Sequence, residues 1–299
     1  MGLDDKATQF LLAARQLGVS FEQVVTIGRQ QLYIAEHTLQ RRLRTFGLPA
    51  DQGISQRLLR DAAGSSEPFL ELLGAIRTES IDASEYEGAS QIFDLNGSLP
   101  QELNNAFSVV LDAGTLEHVF DFPTAIRNCM QMVSLGGHFL CVTTANNMTG
   151  HGFYQFSPEL FYRVFSESNG FRVDRMYVTE TSSSTWYEVS DPASVGGRVQ
   201  LRTFRPTYLC VIAKRVEITP ILVATPRQSD YVARWNDPSN KHHTDSTRQT
   251  GLHPIERHAP HRIALLLKSL HHLMQAAVLP FDKKAFTRID IENVTSDSR

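Results

Sequence analysis

Residues 107–120 read FSVVLDAGTLEHVF, and after a short polar-apolar stretch the chain continues QMVSLGGHFLCVTT. The first five residues have the β-branched and aromatic content of a buried strand, which stops abruptly at Asp112. A glycine, a threonine and the adjacent pair Glu117 and His118 follow. In open parallel sheets, ligands sit in the crevice outside the carboxyl ends of the strands. Polar residues that end such a strand abruptly are therefore placed for ligand contact.

Working outward, the same alternation of strand and helix recurs. Residues 5–17 carry helical apolar spacing at Phe10, Leu11, Ala14 and Leu17, with Gly18 as the stop. FEQVVTIGRQ predicts a strand ending at Gly28, and QQLYIAEHTLQRRLRTFG predicts a helix. Residues 48–73 are polar and helix-like, with breaks at Pro49, Gly53, Gly64 and Pro68, and are expected as a helical insertion. RTESIDA and SQIFDL predict a second and a third strand, ending at Asp82 and Asp94. FSVVL is the fourth strand and GHFLCVTT the fifth, with a helix over 124–132 and a Gly136-Gly137 turn between them. SPELFYRVFSESNG has Ser157 as N-cap, Pro158 in the first turn and Gly170 as its stop. FRVDRMYVTE and TYLCVIAKRV supply two more strands, separated by a loop containing Trp186 and Tyr187. Seven strands with helices between the first five predict an α/β fold, a doubly wound Rossmann-like sheet.

The chain has 299 residues, 41% of them hydrophobic, and a net charge of −3, enough for one good core with appendages. That charge does not suggest a nucleic-acid partner. Cys129, Cys141 and Cys210 are widely spaced within apolar runs, the pattern of small core residues in a reducing compartment. No apolar run approaches a bilayer span, and the first residues are acidic where a secretory signal needs basic ones. A soluble cytoplasmic protein is expected.

With these elements in order, residues 106–144 and the following HGFYQFSPELFYRVFSESNGF resemble the class I S-adenosylmethionine-dependent methyltransferases, in their fourth strand, Glu-His loop, Gly-Gly turn and fifth strand. The resemblance spans roughly residues 21–216. It implies a seven-stranded methyltransferase-like domain over 21–217, preceded by an N-terminal helix over 1–20, and S-adenosyl-L-methionine as cofactor. It further implies methyl transfer to the oxygen or nitrogen of a small or medium polar acceptor, of small-molecule or glycan type. On this reading Asp82 accepts from the ribose hydroxyls, a task suited to an ionised carboxylate, which is acceptor-only. Asp94, with Leu95 beside it in DLNGSLP, matches the position facing the adenine amino group. Both also read as ordinary turn carboxylates. Asp112 and Gly114 line the same crevice.

The first-strand glycine loop departs from the family pattern. VVTIGRQQLY keeps Gly28 alone, and Gly28 and Asp82 lie 54 positions apart, which the helical insertion has to fill. Arg29 and Gln30 are the candidates to compensate, Arg29 by pairing with a cofactor carboxylate or else as an exposed helix-start cation. For proton removal from a hydroxyl acceptor, His118 is the first candidate base and His151 the second, with Glu117 orienting His118, contacting cofactor or helping to bind a metal. His118 reads equally as a helix-start residue bonded to nearby backbone. Gly150 and Gly152 flank His151 in a loop suited to closing over substrate, where Tyr154 and Gln155 are the expected contacts and Trp186 a further wall.

Two other functions are compatible with parts of this sequence. A catalytically inactive scaffold of the same fold would explain the thinned glycine loop. A nicotinamide-dependent oxidoreductase needs a G-x-G-x-x-G turn that TIGRQQLY lacks. Residues 218–262 are polar and without periodicity and are expected as a partly disordered linker. Seven histidines between 242 and 272 show no metal-ligand interval, and no residue set is assigned to a metal. Apolar residues over 263–279 recur at helical spacing within a C-terminal helix and tail over 263–299. Docking on the domain or on a second copy, as a homodimer, is expected there, rather than membrane attachment.

Overall fold

The computed structural model describes residues 2–61, 64–236 and 284–295. Within them nine strands form one sheet: β1 (Gln23–Ile27), β2 (Arg77–Asp82), β3 (Gln91–Ile92), β4 (Phe107–Ala113), β5 (Val133–Asn146), β6 (Phe171–Glu180), β7 (Trp186–Val189), β8 (Thr207–Arg215) and β9 (Phe286–Ile289). Their spatial order is β9-β7-β6-β8-β5-β4-β1-β2-β3. From β3 to β5 every neighbouring pair is parallel, and from β5 outward through β8, β6, β7 and β9 every pair is antiparallel. The chain winds from β1 out to β3, then restarts on the other side of β1 with β4. That reversal makes the β1/β4 junction the topological switch point, where an open α/β sheet leaves a crevice at its carboxyl edge.

The sheet's two faces follow from the side-chain alternation of its strands. Val24, Val109, Leu111 and Leu140 pack into one apolar cluster with α1 (Asp5–Gln16), α2 (Glu36–Thr45) and α3 (Glu67–Leu73), through Phe10, Leu11, Leu39, Leu43, Phe69 and Leu70. Val25, Val110, Phe139 and Cys141 point the other way, onto α4 (Phe122–Met132) and α5 (Pro158–Val164). In α4 the buried residues Phe122, Ala125, Ile126, Cys129 and Met130 recur at three- and four-residue spacing. Each large side chain so buried contributes roughly 2–3 kcal/mol. The three cysteines are buried and unbridged.

The seven strands expected from the sequence are all present, and Ser157 caps α5 by accepting from the Leu160 amide, as expected. Two strands come in addition. Trp186–Val189 is β7, not loop, and residues 286–289 form β9 against it in the expected C-terminal tail. The helix expected directly after Gly28 starts only at Glu36, because Gln31–Leu32 extends and pairs in parallel with Gly2–Leu3. The insertion contains Gln52–Gln56 as α-helix, a π turn over Arg57–Asp61, and α3. In the expected linker, Ser229–Asn236 is helical, and Ser229 is held by Glu159 of α5 through its amide (2.7 Å) and hydroxyl (3.0 Å). The tail histidines from His242 to His272 and the helix expected over 263–279 lie outside the described residues.

The C-terminal segment locks onto the N-terminal one. Arg42 binds both carboxylate oxygens of Asp5 (2.8 and 2.9 Å) and also Glu292, while Gln9 donates to Glu292 at 2.9 Å. Beside this network Trp186 is buried, its indole N–H donating to Gln9 Oε1 at 3.1 Å.

Candidate functional site

At the carboxyl edge of β4, Asp112 determines the path of the loop. Its buried Oδ1 accepts from the amides of Thr115 (3.0 Å) and Leu116 (3.2 Å), and the Cys141 thiol donates to Oδ2 at 3.4 Å. Desolvation pushes this carboxyl's pKa upward, against the hydrogen bonds it accepts. Asp112 therefore holds its own loop and is withdrawn from the crevice, contrary to the cofactor contact expected of it. Gly114 supplies the turn, at φ +92°. The Thr115 hydroxyl reaches across the switch point to the Ile27 carbonyl (2.7 Å) and fills the space beside Gly28, where an added Cβ would meet it at 2.8 Å.

A single 3-10 turn, Leu116–His118, then faces Leu116 and Glu117 inward and His118 outward. Glu117 is buried. Its Oε2 accepts from the Thr143 hydroxyl at 3.0 Å, and its Oε1 lies 3.6 Å from His151 Nε2. Burial, and then the neighbouring Asp112, push the Glu117 carboxyl's pKa up. Burial and His151 push His118 down, so its neutral form is favoured. The two imidazoles meet edge to face, with centroids 5.1 Å apart.

His151 is brought there by backbone. The amides of Phe153 and Tyr154 donate to the Glu117 carbonyl (2.8 and 3.3 Å), and a Cβ on Gly152, at φ +85°, would lie 2.7 Å from that same oxygen. Gln155 braces the loop by accepting from the Met148 amide at 2.8 Å, and the Tyr154 hydroxyl donates to the Phe120 carbonyl at 2.6 Å. Both residues expected to touch substrate thus shape the loop first. Trp186, expected as a further wall, is instead core packing under α1, because its indole partner Gln9 is on that helix. Phe120 and Phe153 are 73% and 66% exposed, lie 5.8 Å apart, and each follows one histidine of the pair by two residues. Sequence reading passed over Thr143.

On the far side of the switch point the rim is looser. Asp82 and Asp94 end β2 and follow β3, tied together by the Phe93 amide donating to the Asp82 carbonyl (2.8 Å). Asp82 Oδ1 accepts from the Ser84 amide, and the exposed Asp94 Oδ1 from the amide and side chain of Asn96, which leaves each carboxylate with an oxygen to spare. Leu95 is buried in the core. Arg29 is held by Glu67 (3.0 Å) and by the carbonyls of Glu87 and Gly88. Gln30 is fully buried, with its amide nitrogen on the Ile27 carbonyl (2.8 Å) and its Oε1 without a hydrogen-bond partner. An orphaned acceptor, a positive-φ glycine and two carboxylates along one edge fit a nucleoside with an ammonium-bearing tail. A separate cleft of about 520 Å³ is walled by Arg163, Arg198, Arg227 and Arg234. Three of these arginines are already paired, Arg163 with Asp191 and both Arg198 and Arg234 with Asp230, so the cleft is no ready anion site.

No protein-family description matches this chain, and no curated protein does. Solved structures do resemble it. One is a putative S-adenosylmethionine-dependent methyltransferase from Listeria monocytogenes (12% identity, 71% of this chain and 100% of that one, TM-score 0.38). A second is the N-methyltransferase NodS from Bradyrhizobium japonicum WM9 in complex with S-adenosyl-L-homocysteine (14% identity, 71% and 87%, 0.37). A third is the [4+2]-cyclase SpnF (16% identity, 59% and 60%, 0.36). At such identities and scores the likeness carries no function. The strand order and the parallel-to-antiparallel change at β5 are those of a doubly wound, Rossmann-like α/β sheet with an antiparallel extension. Among the described residues no helix is long and apolar enough to cross a membrane.

Proposed function

We propose that the protein transfers a methyl group from S-adenosyl-L-methionine to the oxygen or nitrogen of a small or medium polar acceptor, of small-molecule or glycan type, in the cytoplasm. The observation that carries this reading is the convergence, at one switch point, of the Asp82–Asp94 rim with the Glu117, His118 and His151 cluster. Asp82 would accept from the ribose hydroxyls, Asp94 would face the adenine amino group, and Gln30 Oε1 would take up the ammonium of the methionine tail. When bound, S-adenosylmethionine supplies an electrophilic methyl carbon. The protein's own work is alignment and handling of the acceptor's proton. His118 and His151 stand where that proton leaves, and Glu117 stands behind them. Phe120 and Phe153, exposed and set edge to face, offer the acceptor an apolar corner.

The test is calorimetric titration with S-adenosylmethionine and S-adenosylhomocysteine. Micromolar binding, about 8 kcal/mol, that Asp94→Ala weakens about tenfold supports the cofactor site. Absence of binding to folded protein would instead favour an inactive scaffold. The pairing of Arg29 with Glu67, which removes a candidate carboxylate ligand, is the observation on that side.

A further inference from the structure

We infer that Glu117, His118 and His151 form a binding site for a divalent first-row transition ion such as zinc, manganese or cobalt. Each residue offers one donor atom, and the three donors lie within 4.8 Å of one another. Among the described residues no other trio of histidine, cysteine, aspartate or glutamate converges so closely. Ion-to-ligand distances near 2.0–2.2 Å require donors about 3.3 Å apart in a tetrahedral set. Glu117 Oε1 and His151 Nε2, at 3.6 Å, already approach that spacing. His118 and His151 are exposed, and a small rotation of their rings closes the remainder.

Two features make this a built site rather than a chance meeting. The carboxylate is oriented from behind, with Oε2 bound by the buried Thr143 hydroxyl and Oε1 turned toward the imidazoles. Such outer partners fix the ligand's direction in known metal sites. The loop bearing His151 is then fastened to Glu117 itself, by two amides on the Glu117 carbonyl and by a glycine whose backbone admits no side chain there. One carboxylate and two imidazoles suit a borderline ion better than magnesium, which prefers oxygen and keeps its waters. Three protein ligands leave positions open for water or for an acceptor oxygen, whose proton the ion would release to solvent by lowering its pKa, as it does for bound water. This last use rests on the proposed methyl transfer. The ion site itself does not.

The experiment is titration of the metal-stripped full chain with cobalt(II), read by visible d–d absorption and calorimetry, with zinc as competitor and magnesium as control. The wild type is expected to take up one equivalent that zinc displaces and magnesium does not. His118→Ala/His151→Ala, altered only at exposed positions, should lose that equivalent, and Thr143→Val should weaken it about tenfold. The outcome that overturns the inference is absence of cobalt uptake, or uptake by the double variant equal to that of the wild type, which would move the ion to other histidines. S-adenosylhomocysteine titration of the same samples separates the two readings. S-adenosylhomocysteine bound without cobalt sinks the ion site alone, and cobalt bound without S-adenosylhomocysteine sinks the methyl transfer alone.

Discussion

The two rims of the crevice are built by opposite means. On the β4 side, Asp112, Glu117 and Thr143 are all buried, and nearly every polar atom is committed to a partner inside the loop. On the β2–β3 side, Asp82 and Asp94 sit in short side-chain-to-backbone turns with oxygens facing water. A buried network has a large energetic stake and fixes geometry to fractions of an ångström, whereas solvated turn carboxylates cost little to keep and little to remove. The difference teaches that the acceptor rim is preorganised by the fold and the opposite rim is left for a ligand to organise.

The comparison breaks most sharply at Asp112. Asp112→Ala strands two loop amides and is expected to cost about 3 kcal/mol in urea unfolding. Asp112→Asn keeps the accepting oxygen. Because burial raises the native carboxyl's pKa above its unfolded value, the ionised form weakens the fold as pH rises through that raised pKa. The asparagine variant should therefore match or exceed wild-type stability at neutral pH, and a 3 kcal/mol loss in both variants would refute this account of the loop.

Next in size is Gly152→Ala, where positive φ and the 2.7 Å approach to the Glu117 carbonyl together predict a loss of about 2 kcal/mol and displacement of His151. Unchanged thermal stability would show that the loop has slack. Away from both rims, Asp174 provides a calibration. Burial would raise its pKa, but the hydrogen bonds from His138 and Arg172 outweigh that and hold it at about 2. Its folded pKa is depressed, so its contribution is present above the unfolded value near 3.9 and fades as pH falls toward 2. Asp174→Asn should remove at most about 2 kcal/mol at pH 7 and flatten the acid limb of the stability curve. Smallest in stability is Asp94→Ala, expected within about 0.5 kcal/mol of wild type. Its effect should instead appear in S-adenosylhomocysteine affinity, weakened roughly tenfold, equivalent to about 1.4 kcal/mol.

The sheet was legible because alternation is local: Val24 and Val25, or Val110 and Leu111, announce two faces within two residues. The cluster of Glu117, His118 and His151 was half legible, since Gly150 and Gly152 marked a bend but not what it bends toward. Asp112 and Glu117 look alike as strand-end carboxylates, and only the direction of the amides after Gly114 decides that one holds the loop and the other faces the imidazoles. Trp186 was misread because its partner Gln9 is 177 positions away. β9 was missed because four residues carry too little pattern to register against a polar background.

The clasp of Arg42 and Gln9 on Glu292 also sets an order of events during synthesis. Arg42 and Glu292 are 250 positions apart, so at roughly 5–20 residues per second the glutamate appears on the order of 10–50 s after the arginine. Throughout that interval Arg42 has only Asp5 to pair with, and the outer edge of β7 stands open until Phe286–Ile289 arrives to cover it. The nascent protein thus carries an unpaired β-edge, the kind of surface that holding chaperones recognise, until its late C-terminal strand closes the sheet.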